Sequence, residues 1–297
     1  MISVFSVALF SVASVAQVVV TDRDLNAASA GRMVRVGSVP GGRVTTMPLE
    51  TYVARVLAGE GQPDAPDAAR RALAVAIRTY ALANAGRHNR DGFDLCDSTH
   101  CQVLRAATPA AREAANATAG RVLTFNGRAA EVFYSASCGG YSESASQVWP
   151  GADYPYLQAA EDDVHAGDRP WTVEFPLRRV QQALRRAGFA GDRIRRIEIE
   201  ERSSSGRVTR LRLVGLRPDA ISGDQFRLAV GARELRSTAF ELEARGSTLR
   251  FTGRGYGHGV GLCVVGAGRR ALRGESFEAI LAKYFPGLTL TAGPRPR

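Results

Sequence analysis

The 297-residue sequence is poor in several features, and each scarcity excludes a class of protein. Aromatic residues make up only 7% of the chain, and they are not interleaved with basic residues in any recognisable nucleic-acid-binding motif. We therefore expect no nucleic-acid partner. The two small-residue loops described below match neither a nucleophile elbow of the form GxSxG nor a phosphate-binding loop. No internal repeat or long low-complexity segment is present.

Acidic residues are outnumbered by basic ones. Lysine and arginine together number 39 against 29 aspartates and glutamates, which gives a formal net charge of +10, and nearly all of the basic residues are arginine. This balance favours an anionic partner, such as a membrane surface or an acidic cell-wall polymer. Hydrophobic residues make up 45% of the chain, which is enough for a globular protein with a substantial core.

Residues 1–20 carry no charged side chain and are followed at once by Asp22, Arg23 and Asp24. Such a segment is typical of a secretory signal peptide or a short membrane anchor. A buried strand and an incorrectly assigned start are the alternatives. No other segment is apolar for long enough to span a bilayer. We expect an exported protein of the cell envelope, either free or membrane-anchored.

Helical and strand patterns are mixed along the chain rather than strictly alternating. Apolar spacing predicts two helices between residues 49 and 84, with Pro66 in the first turn of the second and Asp64 as its cap. Hairpins are expected over residues 33–44 and over residues 121–135, the latter around Asn126-Gly127. The pattern predicts an α+β fold in which helices pack on a mixed or antiparallel sheet.

The domain organisation follows from the same patterns. One domain is expected over residues 33–290, with a less typical middle subdomain or insertion at about 170–245. Residues 291–297 are expected to form a disordered tail. The middle subdomain offers little chemistry, so candidate site residues come from the rest of the chain.

Glu60 stands between two glycines at the predicted end of the first helix. A carboxyl at a helix C-terminus faces the negative end of the helix dipole, and with partial burial its pKa rises. A raised pKa suits a general acid that works near neutrality. An ordinary exposed loop glutamate is the alternative.

Two cysteines and two histidines lie within fourteen residues of one another: His88, Cys96, His100 and Cys101. These are the ligands that a closed, structural zinc site takes. A Cys96–Cys101 disulfide and free thiols are the alternatives.

Two further stretches combine small residues with hydroxyl, imidazole and thiol groups. Residues 135–143 read SASCGGYSE, and residues 253–268 read GRGYGHGVGLCVVGAG. Their glycines allow close backbone approach, so a ligand can lie flat against them. If the two loops converge, Cys138 and Cys263 become neighbours and could form a disulfide.

Six segments in order resemble the stage II sporulation protein D / LytB family. They are YVARVLAGE (52–60), ALAVAIRTYAL (72–82), DSTHCQ (97–102), VFYSASCGGYS (132–142), VW with PYL (148–149 and 155–157), and GYGHGVGLCVVGA (255–267). The resemblance runs from about residue 33 to the region of residue 287 and is weakest in the middle. In two places the sequence departs from the family pattern: Gly61-Gln62-Pro63 replaces a methionine-proline, and Cys263-Val264-Val265 replaces serine-glutamine-tryptophan.

The resemblance implies a lytic transglycosylase that cleaves peptide-stripped peptidoglycan glycan strands and leaves 1,6-anhydro-N-acetylmuramic acid ends. It maps the catalytic glutamate onto Glu60 and a zinc site onto His88, Cys96, His100 and Cys101. We expect Tyr134, Ser135, Ser137, Tyr256 and His258 to bind the sugar in a cleft formed by loops and a helix end. A second carboxylate, as hydrolysis requires, would have to come from Glu143, Asp97 or Asp153. LytB-type relatives imply the alternative of a non-catalytic wall-binding protein that activates an amidase.

Overall fold

The computed structural model describes residues 19–39 and 41–292. The predicted signal peptide or anchor, apart from Val19 and Val20, lies outside these residues. Thr291 and Ala292 end a strand rather than beginning the predicted tail, and residues 293–297 lie outside the described part. Among the described helices, none has both the length and the apolar character needed to cross a membrane.

The helices and strands of the described residues confirm the predicted α+β class. The helices are α1 Asp22–Ala28, α2 Leu49–Glu60, α3 Asp67–Ala83, α4 Pro109–Ala117, α5 Ala145–Val148, α6 Leu177–Arg186, α7 Gly223–Val230, α8 Val264–Leu272 and α9 Phe277–Tyr284. The strands are β1 Met33–Gly37, β2 Val44–Pro48, β3 Leu95–Cys96, β4 Arg121–Phe125, β5 Arg128–Ala129, β6 Tyr134–Ser135, β7 Trp171–Pro176, β8 Arg196–Arg202, β9 Val208–Val214, β10 Ala220–Ser222, β11 Phe240–Arg245, β12 Thr248–Gly253, β13 Leu262–Cys263 and β14 Thr289–Ala292.

Helices α2 and α3 form the centre of the larger hydrophobic core. Tyr52, Val53 and Val56 on α2 are fully buried, as the apolar spacing predicted. Helix α2 packs on α3 and α4, and α3 also packs on α8 and α9. The predicted cap is wrong, because α3 begins at Asp67 and Pro66 takes the N-cap position without a side-chain hydrogen bond.

A buried ion pair joins the two central helices. Arg78 donates from Nε and Nη2 to the two carboxylate oxygens of Glu50, at 2.8 and 2.5 Å, and both side chains are essentially inaccessible to solvent. The Arg78 guanidinium also donates to the carbonyls of Ala115 and Arg121. The pair therefore ties α2 and α3 to the end of α4 and the start of β4.

The strands form several small sheets, mostly antiparallel. Their orders are β2-β1-β3, β14-β4-β5, β11-β12-β7, β10-β9-β8 and β13-β6. Strands β1 and β3 pair in parallel, and so do β6 and β13. The sheet is thus divided into small mixed and antiparallel units, and the parallel β6–β13 pair brings two distant loops together.

The hairpin predicted around Asn126-Gly127 forms, but it is shorter than expected. Both turn residues have positive φ, 50° and 75°, which is what a two-residue hairpin turn of this hand requires. Its second strand covers only Arg128–Ala129. Tyr134 and Ser135, which the sequence placed in the hairpin, pair instead with Leu262 and Cys263.

A second hydrophobic core lies within the middle of the chain. It is built from strands β7–β12 and helices α6 and α7 around a cluster of aromatic rings. Phe251 is fully buried, and its ring centre lies 5.7, 6.0 and 5.2 Å from those of Phe175, Phe226 and Phe240. The larger core takes its residues from both sides of this segment.

Candidate active site

Glu60 is the last residue of α2, and its carboxyl is turned toward the chain segment that follows the Cys/His cluster. Its Oε1 accepts a 2.8 Å hydrogen bond from the backbone N–H of Val103. Gly59 makes this approach feasible, because a Cβ at that position would lie 2.2 Å from the Val103 carbonyl oxygen. The glycine before the glutamate therefore has a steric role.

Burial raises the pKa of the Glu60 carboxyl above its ordinary value. The Val103 N–H and the positive charge of Arg105 oppose this shift, because both favour the ionised form. The net effect is a raised pKa of Glu60, as a general acid that works near neutrality needs.

A short chain of hydrogen bonds lies beside Glu60. The Tyr52 hydroxyl donates to Gln102 Oε1 at 2.8 Å, and Gln102 Nε2 donates to the Tyr134 hydroxyl at 2.9 Å. Burial, followed by the negative charge of Glu60, raises the pKa of Tyr134. Burial is also the main cause that raises the pKa of Tyr52, and Glu60 adds to it. Both phenols are therefore neutral neighbours of the carboxyl.

Tyr52 and Gln102 were missed as candidate site residues by sequence reasoning. The sequence places Tyr52 on the apolar face of its helix and at the start of the YVARVLAGE segment, and Gln102 at the end of the DSTHCQ segment, without indicating a role in the site for either. Gln102 is fully buried. The available signal in the sequence was an amide at the end of a segment that also carries candidate site residues. In the structure this amide is buried, and a buried amide needs hydrogen-bonding partners.

The two small-residue loops converge, so that Cys138 and Cys263 are neighbours. Ser137 and Tyr256 exchange backbone hydrogen bonds of 3.0 and 2.8 Å. A Cβ at Gly257 would lie 3.1 Å from the Ser135 Cβ, so the chains run in contact. Tyr134, Ser135, Ser137, Tyr256 and His258 thus belong to one continuous substructure.

These loop residues differ in how much solvent they meet. Tyr256 is 41% exposed, so its ring is free to contact a ligand. Ser137 is half-buried. Ser135 is buried, and its Oγ has no hydrogen-bond partner within the described part of the chain. Tyr256 is therefore the best placed of the three to meet a sugar.

His258 lies between aromatic rings. Its ring centre is 4.9 Å from that of Trp149 and 6.3 Å from that of Phe133, and its Nδ1 accepts a 3.0 Å hydrogen bond from the Val260 N–H. Burial, and then the nearby charges of Arg207 and Arg227, lower the pKa of His258 to about 3. The imidazole is therefore neutral near pH 7, and its influence on a ligand is that of a neutral polar group.

Tyr134 connects His258 with Glu60. Its side chain belongs to the hydrogen-bond chain next to the carboxyl, and its backbone bonds to His258, which partly offsets the lowered histidine pKa. Tyr134 therefore joins the hydrogen-bond chain beside the catalytic-acid candidate to the glycine-rich loop.

A cavity of about 320 Å³ opens next to this group. Its lining includes Leu57, Gly61 and Gln62 from the end of α2, and Leu262 and Val264 from β13 and α8. The Glu60 side chain does not line it, and its walls are mostly apolar. The cavity lies beside the candidate acid but suits a hydroxyl-rich sugar poorly.

The predicted metal-binding residues form a compact cluster. One ligand atom from each of His88, Cys96, His100 and Cys101 lies within 4.8 Å of all the others. The His88 Nε2–His100 Nδ1, Cys101 Sγ–His88 Nε2 and Cys96 Sγ–His100 Nδ1 distances are 3.2, 3.4 and 3.6 Å. Zinc bonds of about 2.0–2.3 Å in a tetrahedron give ligand separations of about 3.3–3.8 Å, so the four residues fit this metal.

Two more observations bear on this cluster. Both cysteines are free thiols, which favours a metal site over the disulfide alternative. His88 Nδ1 lies 2.8 Å from Asp91 Oδ2, and a carboxylate behind a ligating imidazole is common in metal sites. A metal here would fix the segment that carries Gln102 and Val103 to the site.

Comparison with known proteins gives matches along most of the chain. The family described as "Stage II sporulation protein" (SpoIID) matches residues 41–125, and a "Domain of unknown function" (DUF8618) matches residues 168–261. Stage II sporulation protein D of Bacillus amyloliquefaciens is 27% identical over 84% of this chain and 75% of its own length. An uncharacterized protein of Brachyspira hyodysenteriae is 29% identical over 83% of this chain and 67% of its own.

A third relative carries a different name. The "Amidase enhancer" of Bacillus subtilis is 26% identical over 75% of this chain, but only 38% of the relative's length is covered. Fold and site define an α+β protein with a partly buried glutamate at a helix end and a Cys/His cluster beside it. Together with these matches, they show that the chain is similar to the stage II sporulation protein D family over most of its length.

Proposed function

We propose that the protein is a peptidoglycan lytic transglycosylase in which Glu60 is the catalytic residue. The single observation that carries the proposal is the setting of Glu60: a carboxyl at a helix end, with a pKa raised by burial, beside neutral tyrosines and the glycine-rich loops. Relatives named for sporulation and for amidase enhancement support a role at the cell wall.

In the proposed reaction, Glu60 acts first as an acid and then as a base. The protonated carboxyl donates its proton to the glycosidic oxygen that leaves N-acetylmuramic acid. The resulting carboxylate takes a proton from the C6 hydroxyl of the same sugar, whose oxygen then closes a 1,6-anhydro ring. The enzyme regains its starting protonation state, and no water is consumed. Tyr134, Ser135, Ser137, Tyr256 and His258 are proposed to position the sugar.

The surroundings of two of the three candidate second carboxylates, Glu143 and Asp97, support a reaction that needs only one. Hydrolysis generally uses two carboxyl groups about 5–10 Å apart. Glu143 is 2% exposed, and its oxygens accept from the hydroxyls of Ser203 and Ser205 and from the Ser144 N–H. Asp97 accepts from the Val39 N–H. These two carboxylates already form hydrogen bonds that stabilise the fold.

The remaining properties fit this assignment. A formal charge of +10 favours an anionic wall polymer as the partner. The predicted export segment would deliver the protein to the cell envelope, where such a polymer occurs. A zinc ion held by His88, Cys96, His100 and Cys101 would occupy all four positions with protein ligands and so would serve structure.

Amidase activation without catalysis is the second candidate, and it rests on the name of the Bacillus subtilis relative. It predicts glycan binding that is unchanged in Glu60→Gln, and stimulation of a separate amidase.

The test is digestion of peptide-free glycan strands with the wild type and with Glu60→Gln. Glutamine keeps an oxygen that can accept from Val103 but cannot donate a carboxyl proton. Exposed Glu278, in the first turn of α9, provides the matched control Glu278→Gln. We expect cleavage by the wild type and the control and none by Glu60→Gln. Absence of cleavage by all three, with amidase stimulation retained, would support the second candidate instead.

A further inference from the structure

A second cluster of metal-ligand side chains lies where the two loops converge. Cys138, Asp162, His165 and Cys263 each offer one ligand atom within 4.8 Å of all the others. Their side chains come from the small-residue loop, the segment before β7 and the N-cap of α8. We propose that these four residues hold a second structural metal ion of the zinc type, which locks the loops of the candidate active site together.

The separations of the ligand atoms match a tetrahedral site. The distances are 3.3 Å from His165 Nε2 to Cys263 Sγ, 3.4 Å from Cys138 Sγ to Asp162 Oδ2, and 3.6 Å from His165 Nε2 to Asp162 Oδ2. Zinc bonds of about 2.0–2.3 Å predict ligand separations of about 3.3–3.8 Å. Two thiolates, an imidazole and a carboxylate are a donor set that zinc accepts.

The residues behind the ligands are arranged as in a metal site. His165 Nδ1 lies 2.7 Å from Asp168 Oδ2, so the other ring nitrogen is directed at the cluster. The Asp168 carboxylate is in turn bonded to Arg269 at 2.7 Å. Backbone N–H groups of Cys138 and Gly266 each donate to Cys263 Sγ at 3.2 Å, which stabilises a thiolate.

Charge and burial also favour a bound cation. The four residues are between 0% and 5% exposed. Two thiolates and a carboxylate carry three negative charges, of which a divalent cation offsets two. Arg270 donates to Asp162 Oδ1 at 2.9 Å and supplies further positive charge. Burying so many ionisable groups together needs such compensation.

Two other readings of the cluster are weaker. Cys263, His165 and Asp168 follow the order of a nucleophile, base and orienting carboxylate, but Cys263 is fully buried and a nucleophile must reach its substrate. A Cys138–Cys263 disulfide would use the two thiols but would not account for the His165 and Asp162 ligand atoms within 4.8 Å of both. Both thiols are free in the structure.

The position of the cluster gives the metal a role. Cys263 follows Leu262 on β13, which pairs with Tyr134 on β6, and Cys138 is one residue beyond Ser137. Cys263 occupies a position at which the family pattern quoted above has serine. A metal bound by both cysteines would therefore hold the glycine-rich loop on the serine-containing loop.

The first experiment is metal analysis of the purified full-length protein by inductively coupled plasma mass spectrometry. Wild type is compared with Cys263→Ser and with Cys96→Ser, a change in the other cluster. We expect each variant to lose one equivalent of zinc, and a double variant to lose both. Retention of the wild-type metal content by Cys263→Ser would overturn the proposal. The zinc kept at the Cys96 cluster reports that the Cys263→Ser protein is folded.

Thiol counting separates the metal from the disulfide. After denaturation with a chelator and without reductant, we expect four reactive thiols in the wild type. Two would mean that a disulfide has formed, and a disulfide between Cys138 and Cys263 would overturn the proposal.

A second pair of variants tests the proposed metal site without removing a ligand. Asp168→Asn weakens the support of His165, and Asp91→Asn does the same to His88 in the first cluster. Loss of such support typically lowers metal affinity about 10–100-fold. We expect each change to speed zinc release to a chromogenic chelator from its own cluster only. Identical release curves for Asp168→Asn and the wild type would contradict the proposal.

Discussion

The two hydrophobic cores of this protein differ in what they support. The larger core, built around α2 and α3, carries Glu60, the Tyr52–Gln102–Tyr134 chain and both clusters of metal-ligand residues. The core of the middle region is a packed group of aromatic and aliphatic side chains under arginine-rich strands. The candidate catalytic and metal-binding groups are thus concentrated at the larger core, and the core of the middle region supports the loops of the candidate site.

The middle region contributes a buried arginine at the junction between the two cores. Arg207, at the start of β9, is 1% exposed and donates to the Cys138 carbonyl at 2.8 Å. A Cβ at Gly259 would lie 2.3 Å from its guanidinium. Burial, the largest effect, lowers the pKa of Arg207, and the negative charge of Glu143 opposes this. The middle region therefore helps to fix the glycine-rich loop.

The largest expected difference between the regions concerns their ion pairs. Glu50→Ala leaves Arg78 buried without its partner, which typically costs about 3–5 kcal/mol of unfolding free energy. Glu234→Ala breaks the Arg179–Glu234 pair of the middle region, whose side chains are 44% and 47% exposed, and should cost about 0–1 kcal/mol. Urea unfolding of both variants checks this. Equal losses would contradict the assigned difference in burial.

The buried pair also shows what the sequence could not predict. Helix periodicity located α2 and α3 because apolar residues recur on one face, and the Asn126-Gly127 turn was found because its backbone geometry favours those residues. Arg78 and Glu50 look like ordinary surface charges in the sequence. Only the folded chain shows that these residues, 28 positions apart, form direct and buried hydrogen bonds.

The site was predicted unevenly for a similar reason. His88, Cys96, His100 and Cys101 are close in sequence, so their donor chemistry was recognisable. Cys138 and Cys263 are 125 positions apart, and their meeting depends on the parallel β6–β13 pairing. Such a pairing between residues more than a hundred positions apart leaves no local pattern in the sequence.

A glycine pair tests the junction between the regions. Gly259 and Gly206 have nearly the same φ, 80° and 77°, so alanine should incur a similar backbone cost of about 1 kcal/mol at each. Only at Gly259 would the new Cβ meet Arg207, whereas nothing lies within 4 Å at Gly206. We expect Gly259→Ala to lose more thermal stability and more glycan cleavage than Gly206→Ala. Equal losses would mean that the Arg207 contact is unimportant.

His258 should make the junction sensitive to acid. Its pKa is about 3 when folded and ordinarily about 6.5, so the unfolded chain binds more protons between these values. The unfolding free energy contributed by this group therefore falls as pH decreases from about 6.5 toward 3. We expect a shallower acid decline in His258→Gln than in the wild type, measured by urea unfolding across this range. Parallel declines would contradict the lowered pKa.

The smallest expected effect concerns Arg105. Its positive charge lowers the pKa of Glu60, although burial outweighs it. Arg105→Gln should therefore raise that pKa slightly and keep the acid protonated to higher pH. The alkaline limb of the cleavage rate should shift modestly upward in pH, with little change at the optimum. A downward shift would show that Arg105 acts on Glu60 in another way.

The central claim is that Glu60 alone donates and regains the proton, so that the sugar's own hydroxyl closes the new bond. Digestion of peptide-free glycan strands in water enriched in heavy oxygen, followed by mass spectrometry of the new ends, tests it directly. We expect anhydro-muramic acid ends without the label, and no such products from Glu60→Gln. Labelled reducing ends would show that water is the nucleophile and would contradict the account.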